Sequence, residues 1–133
     1  TLFPEFREKD IEGNIWTPDS VKGKVMVLNL WQTACGPCCR EMPELSTWKD
    51  EMPDVMFFSA TYERAKLART VLEKHGFNWI PLVEDKQFSQ WISPNYGYPV
   101  TIIIGKDGRI AMTEHGTSPE KRDALKAKIQ ELR

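Results

Sequence analysis

Long apolar runs divide the chain and predict the strands of a sheet. Residues 24–31 (KVMVLNLW), 55–60 and 99–104 are nearly continuous in hydrophobic side chains, which is typical of strands buried on both faces. Residues 110–115 follow the third run after a tight turn and are predicted to return antiparallel to it. Residues 80–83 predict one more short extended segment.

Between these runs, apolar side chains recur at the three-to-four-residue spacing of helices. Predicted helices cover residues 37–51 and 63–75, a short one covers 87–91, and the last begins at residues 117–120. The predicted apolar faces are Met42, Leu45, Trp48 and Met52 in the first, Leu67, Val71 and Leu72 in the second, and Leu125, Ile129 and Leu132 in the last. Pro43 predicts a kink, Gly76 predicts a helix end, and Glu120 is placed for a capping box.

The order of these elements predicts an α/β fold. Residues 10–16 predict a short hairpin that turns at Gly13 and Asn14, ahead of the first long strand. Strands then alternate with helices, and the chain closes with a hairpin and a helix. This order predicts a central mixed β-sheet flanked by helices on both faces, with an N-terminal β-hairpin extension. No repeat or linker interrupts it, so residues 1–133 are expected to form a single domain.

Composition and charge exclude several classes of partner. The 133 residues carry a net charge of −1 with acids and bases interspersed, which leaves no basic surface for nucleic acid. No apolar run approaches the roughly 20 residues that span a bilayer, so we expect no membrane span in this chain. The three cysteines are clustered and cannot form a framework of several disulfides, so the fold must depend on its core.

All three cysteines lie in WQTACGPCCREM, and two of them have the spacing of a reacting pair. Cys35-Gly36-Pro37-Cys38 falls where a strand meets a helix, and the N–H groups of a helix N-terminus stabilise a thiolate. Cys35 is therefore expected to have the lower pKa and to attack a partner disulfide. Gly36 permits the tight turn and Pro37 fits the first helical turn, so that Cys38 can resolve the mixed disulfide.

Cys39 is expected to be a bystander thiol. One step along a helix from Cys38, it points about 100° away. A Cys35–Cys39 pairing or an oxidative role for Cys39 stays open as an alternative. A zinc site needs a fourth ligand, and His75 and His115 lie at opposite ends of the predicted elements, so no metal is expected.

Two longer stretches carry a resemblance to a known family. VLNLWQTACGPCCREMPEL, together with GYPVTIIIGKDGRI downstream, resembles the TlpA/ResA-type thiol–disulfide oxidoreductases, which are thioredoxin-like, over about residues 3–133. The resemblance implies a thioredoxin fold and thiol–disulfide exchange, with no cofactor beyond the redox-active Cys35–Cys38 disulfide. It also implies protein disulfides or dithiols as substrates and an upstream electron donor. We expect the chain to be a monomer.

The same resemblance implies roles for individual residues. Cys35 would be the nucleophile and Cys38 the resolving thiol. Pro99 would be a cis-proline opposite them, and Tyr98 just before it would touch the substrate. Together with Trp31, which would pack beside the motif, and with Gly36 and Pro37, these residues would form the substrate-binding surface.

The resemblance to this family also implies a proton acceptor for the resolving thiol. Thioredoxin has a buried aspartate six residues before the first cysteine, and Asn29 holds that position here. In the TlpA/ResA branch a glutamate on the active-site helix is proposed for the role, and Glu41 matches it. Glu41 lies three residues after Cys38 and shares its helix face, so it could accept the proton of the resolving thiol.

The dipeptide between the cysteines bears on the direction of electron flow. Gly36 is the thioredoxin choice, and the resemblance to reducing thioredoxins predicts a reductant of protein disulfides, either general or of the cytochrome c maturation type. Cys39 stands where the family commonly has a charged residue. The family implies an extracytoplasmic site in the periplasm or cell envelope, with an anchor that would precede Thr1.

Two other functions remain as alternatives. A peroxidase of the same superfold would resemble a pattern with Thr three residues before the attacking cysteine, but Gln32 stands there and Thr33 comes one position too late. A non-enzymatic module could use the cysteine cluster as soft ligands for a metal or as a partner-binding site.

Overall fold

A seven-stranded sheet and three α-helices make up the fold in the computed structural model, which describes residues 1–91 and 97–133. The strands are β1 (Glu8–Asp10), β2 (Ile15–Trp16), β3 (Met26–Leu30), β4 (Met56–Ala60), β5 (Ile80–Val83), β6 (Val100–Ile104) and β7 (Ile110–His115). The α-helices are α1 (Gly36–Glu51), α2 (Ala65–His75) and α3 (Pro119–Leu132), and short 3-10 helices cover Pro18–Val21 and Phe88–Trp91. Within the described residues, no helix has the length and apolarity needed to cross a membrane.

The sheet is mixed, and β3 lies near its centre. Its strand order is β2-β1-β5-β4-β3-β6-β7, with β3 and β5 parallel to β4 and the remaining neighbours antiparallel. Every residue of β3 is buried, as its apolar sequence predicts. The predicted mixed sheet and N-terminal hairpin are therefore confirmed.

Side chains of β3 alternate between two separate hydrophobic clusters. Val27 points to the cluster that contains the buried side chains of all three α-helices, which we call the helix face. Met26, Leu28 and Leu30 point to the other cluster, which we call the 3-10 face. That face is covered by the N-terminal segment and by both 3-10 helices, and Phe88 is fully buried there. Helices thus lie on both faces as predicted, although the α-helices lie on one.

Two local predictions were wrong. Leu67 was expected on the apolar face of α2, but it is 51% exposed, because the inward positions are taken by Ala68 and Leu72. A prediction from hydrophobicity alone ranks leucine above alanine, so it turns the wrong side of α2 toward the core. At α3 the N-cap is Ser118, whose hydroxyl accepts the Lys121 N–H at 3.1 Å. Glu120 therefore falls one position too early for a capping box.

Candidate active site

The chain leaves the buried strand β3 and enters α1 at Cys35. Cys35 is the N-cap residue, with extended backbone angles, and its carbonyl accepts the Cys39 N–H. Its sulfur accepts the Cys38 N–H at 3.1 Å. This contact satisfies one of the unpaired donors of the helix terminus, and it would stabilise a thiolate on the same atom. The predicted location of Cys35 at the helix start is confirmed.

Cys35 and Cys38 form a disulfide whose Cα atoms are 5.3 Å apart. Cys35 is 7% exposed and Cys38 only 1%, while Gly36 and Pro37 between them are exposed. Cys35 is therefore the more accessible residue of the two, and Cys38 lies in the core.

Cys39 is outside the disulfide. It is half-buried, and its side chain packs against the hydrophobic cluster of the helix face. Burial raises the pKa of its thiol, and the charges of Lys74 and Arg40 only partly oppose this shift. Cys39 is thus a poorer nucleophile than a typical exposed cysteine at neutral pH.

A carboxylate fixes the loop that precedes Cys35. Glu63 accepts the Thr33 N–H at 2.7 Å and the Thr33 hydroxyl at 2.6 Å, and it also accepts the Thr61 hydroxyl at 3.0 Å. These contacts connect the loop after β3 to the loop after β4. Sequence reasoning missed Glu63, because its contact with Thr33 spans 30 positions and Glu63 belongs to no motif.

The segment Tyr98–Pro99 lies beside the cysteine motif. Its peptide bond is cis, as the resemblance implies. Val100 pairs with Leu30 across the sheet, so Pro99 lies at the edge from which the loop to Cys35 departs. Pro99 is buried and its carbonyl accepts the Gly116 N–H, while Tyr98 is half-buried.

Trp31 is completely buried, with a relative exposure of 0%, and it belongs to the cluster of the helix face together with Cys35 and Cys38. Its indole N–H has no hydrogen-bond partner within the described residues. A side chain with no exposed surface cannot contact a partner in this conformation. The structure therefore favours the packing role for Trp31 over the predicted substrate contact.

Glu41 is 5% exposed and lies on the same side of α1 as the buried Cys38. The Asn29 amide donates to Glu41 Oε1 at 2.9 Å and to Thr101 Oγ1 at 3.1 Å. Burial raises the pKa of the Glu41 carboxyl, while hydrogen bonds from Thr117 and Asn29 oppose that rise. Asn29, which stands where thioredoxin has its aspartate, has no proton to transfer, but it holds the carboxyl of Glu41, which could accept one.

The charged neighbours of Glu41 were not predicted. The positive charge of Arg122 lowers the pKa of the Glu41 carboxyl, and the negative charge of Glu44 raises it. Thr117 and Arg122 come from the distant start of α3, where the sequence predicts only that a helix begins at residues 117–120. In the described part of the chain, no cluster of three or more His, Cys, Asp or Glu side chains could hold a metal ion.

Comparisons with known proteins agree with this geometry. The family model described as Redoxin matches residues 1–129. The chain is 29% identical over 126 residues to the thioredoxin-like protein YneN of Bacillus subtilis, covering 89% of this chain and 72% of that protein. It is also 29% identical over 120 residues to the thiol-disulfide oxidoreductase ResA of Halalkalibacterium halodurans, covering 85% of this chain. The chain spans 66% of that relative, slightly under two thirds of its length.

Solved structures support the fold. A thiol-disulfide oxidoreductase from Bacteroides fragilis superposes with a TM-score of 0.82 over 100% of both chains, at 17% identity. At that identity the match establishes the architecture, and residue roles have to be argued from the site itself.

Proposed function

The chain belongs to the Redoxin family, among its thioredoxin-like thiol–disulfide oxidoreductases, and from this premise we propose that it reduces protein disulfides through Cys35 and Cys38. The observation that carries the proposal is the asymmetry of the pair. Cys35 is the more exposed residue and its sulfur accepts a helix N-terminal N–H, whereas Cys38 is almost completely buried.

The exchange transfers two electrons in two steps. In the reduced protein, the Cys35 thiolate attacks one sulfur of the partner disulfide, forming a mixed disulfide and releasing the other partner sulfur as a thiolate. Cys38 then loses its proton and attacks Cys35, which forms the Cys35–Cys38 disulfide and releases the second partner thiolate. An upstream dithiol donor has to reduce the resulting disulfide, and no cofactor beyond that disulfide is required.

Glu41 is proposed as the acceptor of the Cys38 proton. Both residues are buried on one side of α1, where water has little access. A carboxyl whose pKa is raised by burial lies closer to neutrality and is a better base for a thiol than an ordinary glutamate.

The partner surface is proposed to comprise the exposed Gly36 and Pro37 with the neighbouring Tyr98 and Pro99, over the buried Trp31. An extended segment of the partner would lie along the loop at Pro99 and bring its disulfide to Cys35. We place this activity outside the cytoplasm, on apocytochrome c or other extracytoplasmic protein disulfides, as the TlpA/ResA resemblance implies. The chain acts as a monomer in this proposal.

Serine variants in a Cys39→Ser background test the mechanism. Cys35→Ser should abolish reduction of insulin disulfides, because the attacking sulfur is lost. Cys38→Ser should accumulate a mixed disulfide with a protein substrate, detectable by mass spectrometry. Retained turnover in the Cys35→Ser protein would contradict the proposal.

The direction of electron flow is tested separately, by measuring the reduction potential of the Cys35–Cys38 couple. A reductant requires a potential near that of thioredoxin, about −270 mV, rather than the roughly −120 mV of a strong oxidant. A value near the oxidant end would retain the exchange chemistry but reverse the proposed electron flow.

A further inference from the structure

The buried carboxyl of Glu41 is surrounded by groups from two elements of the fold, β3 and the start of α3. Asn29 donates to Glu41 Oε1 from β3 at 2.9 Å, and Thr117 and Arg122, at the start of α3, both lower the pKa of the Glu41 carboxyl. The β3 and β6 neighbours, Asn29 and Thr101, are neutral. The charged groups facing Glu41 are therefore Arg122 from α3 and Glu44 from its own helix, with Cys38 as the titratable neighbour.

Arg122 fixes the hydroxyl of Thr117. Its Nη1 donates to Thr117 Oγ1 at 2.5 Å, while its Nε donates to Glu44 Oε2 at 3.0 Å. A threonine hydroxyl that accepts a hydrogen bond still has its own proton to donate. Because the guanidinium occupies the acceptor side, the remaining proton is available for the Glu41 carboxylate, whose pKa Thr117 lowers.

A second ion pair also joins α3 to α1, and it provides a comparison for the Arg122–Glu44 pair. Lys126 Nζ lies 2.7 Å from Glu51 Oε2, so it also connects α3 to α1. The Arg122 side chain is 18% exposed, whereas that of Lys126 is 31% exposed. Both pairs join the same two helices, but only Arg122 also contacts the threonine that reaches Glu41.

We propose that Thr117 and Arg122 are positioning residues for the redox reaction: Arg122 orients the Thr117 hydroxyl, and Thr117 holds the Glu41 carboxylate ready to receive the Cys38 proton. This inference rests on the proposed role of Glu41. In the resolving step the S–H bond of Cys38 breaks, its proton goes to Glu41, and the Cys38 sulfur bonds to Cys35 as the partner thiolate leaves. Thr117 and Arg122 form no covalent bond.

The test follows the resolving step directly in a Cys39→Ser background. The reduced protein is mixed with a nitrobenzoate disulfide, which releases one coloured thiolate when Cys35 attacks and a second when Cys38 resolves. The rate of the second release is measured against pH in Thr117→Val, Thr117→Ser, Arg122→Met and Lys126→Met. Carbon NMR of the glutamate carboxyl groups gives the Glu41 midpoint in the same proteins.

Thr117→Val and Arg122→Met should move the Glu41 midpoint and the acidic limb of the rate profile upward by about 0.5 pH unit or more. Thr117→Val loses the hydroxyl donor, and Arg122→Met loses both the positive charge and the group that orients that hydroxyl. Thr117→Ser should restore the original profile. Lys126→Met should lower stability about as much as Arg122→Met without moving either midpoint.

Two results would overturn the inference. An unmoved midpoint in both Thr117→Val and Arg122→Met would show that these residues do not position the carboxyl. An equal shift in Lys126→Met would show that helix packing alone is responsible. Glu41→Gln separates this failure from that of the proposed function: if it leaves the rate profile unchanged, Glu41 is not the proton acceptor and this inference fails with it, while disulfide exchange through Cys35 and Cys38 stands.

Discussion

Each face of the sheet buries one glutamate, and the two differ in their neighbours. Glu41 on the helix face is 5% exposed and receives hydrogen bonds from Asn29 and Thr117. Glu8 on the 3-10 face is 8% exposed, and its Oε1 has no partner within the described residues. Burial and the nearby charge of Asp85 raise the pKa of Glu8 to about 8.

Asp85 cannot serve Glu8 as Asn29 serves Glu41, because its carboxyl oxygens offer no amide donor, and its hydrogen bond with Glu8 raises the pKa of Glu8 further. It accepts the N–H groups of Gln87 and Phe88 through Oδ1 and of Ser89 through Oδ2, and so it caps the 3-10 helix there. A carboxylate in this role adds repulsion rather than a donor. Burial raises the pKa of both glutamates, but only Glu41 has the donors that keep a buried carboxylate usable for chemistry.

The largest loss of stability is expected from Asn29→Asp, which gives Glu41 a carboxylate neighbour like that of Glu8. Two carboxylates within hydrogen-bond distance would lose the amide donor and repel each other. We expect the free energy of unfolding at alkaline pH to fall by about 3–5 kcal/mol, as for other uncompensated buried charges. Urea unfolding at acidic and alkaline pH checks this, and much of the loss should be recovered in acid.

The matched control combines Asn29→Asp with Glu41→Gln, which exchanges the amide and the carboxyl. One donor and one acceptor again face each other, so most of the lost stability should return. If the double variant is as unstable as Asn29→Asp alone, the loss arises from strain at the Asn29 site, and the proposed repulsion is not its cause.

Glu8→Gln tests the other face. The folded pKa of Glu8, about 8, lies above its ordinary value of 4.5, so the stability it contributes is complete below 4.5 and is lost as pH rises through about 8. The wild-type protein should therefore lose about 2–4 kcal/mol across that window. Glu8→Gln should remove this dependence and be the more stable protein under alkaline conditions.

The control for the Glu8→Gln experiment is Glu84→Gln, in the segment that follows β5. The Lys9–Glu84 ion pair has N–O distance 2.9 Å, and both side chains are 46% exposed. The hydrogen bond from Lys9 lowers the pKa of Glu84, so any contribution is present above its ordinary pKa and is lost on acidification. A large alkaline effect in Glu84→Gln would mean that Glu8 is not the group responsible.

Removing the N-cap of α3 should have a smaller effect on the free energy of unfolding. It should also affect the titration of Glu41 on the helix face and leave that of Glu8 on the 3-10 face unchanged. Ser118→Ala removes the acceptor of the Lys121 N–H and should cost about 1 kcal/mol of unfolding free energy. Because Thr117 and Arg122 lie in the adjoining turn, the Glu41 midpoint should also move, whereas that of Glu8 should not. Carbon NMR titration of both carboxyl groups checks this.

Thr17→Ala is the corresponding change on the other face, at a half-buried N-cap whose backbone N–H donates to the Ser20 hydroxyl. It should cost less than Ser118→Ala, because it starts a helix of only four residues. A shift of the Glu41 midpoint in Thr17→Ala would show that the carboxyl responds to general loosening of the fold.

The fold and the reacting pair were predictable because their signals are local. The apolar run that forms β3 and the Cys35-Gly36-Pro37-Cys38 motif at the start of α1 are continuous in sequence, and each constrains its own backbone. The position of Glu41 beside Cys38 followed from helix spacing in the same way.

What surrounds the two glutamates was not predictable. The Asn29–Glu41 contact joins a strand to a helix, and the link through Thr117 depends on how α3 docks against α1. The opposition of Glu8 and Asp85 likewise depends on the antiparallel pairing of β1 with β5. No periodicity specifies which polar side chain a buried carboxyl will meet across such an interface, so a pKa cannot be read from the sequence.

The smallest effect is expected from Cys39→Ser, which tests whether the sulfur chemistry on the helix face is confined to the disulfide. Cys39 is half-buried and its thiol pKa is raised by burial, so it should neither compete with Cys38 for Cys35 nor be a reactive thiolate near neutral pH. Insulin reduction should stay within about twofold of wild type, and unfolding free energy within about 1 kcal/mol. A lower rate of the second thiolate release in Cys39→Ser would instead assign Cys39 a part in resolution. The helix face would then hold three reacting sulfurs, and Glu41 would no longer be matched to a single resolving thiol.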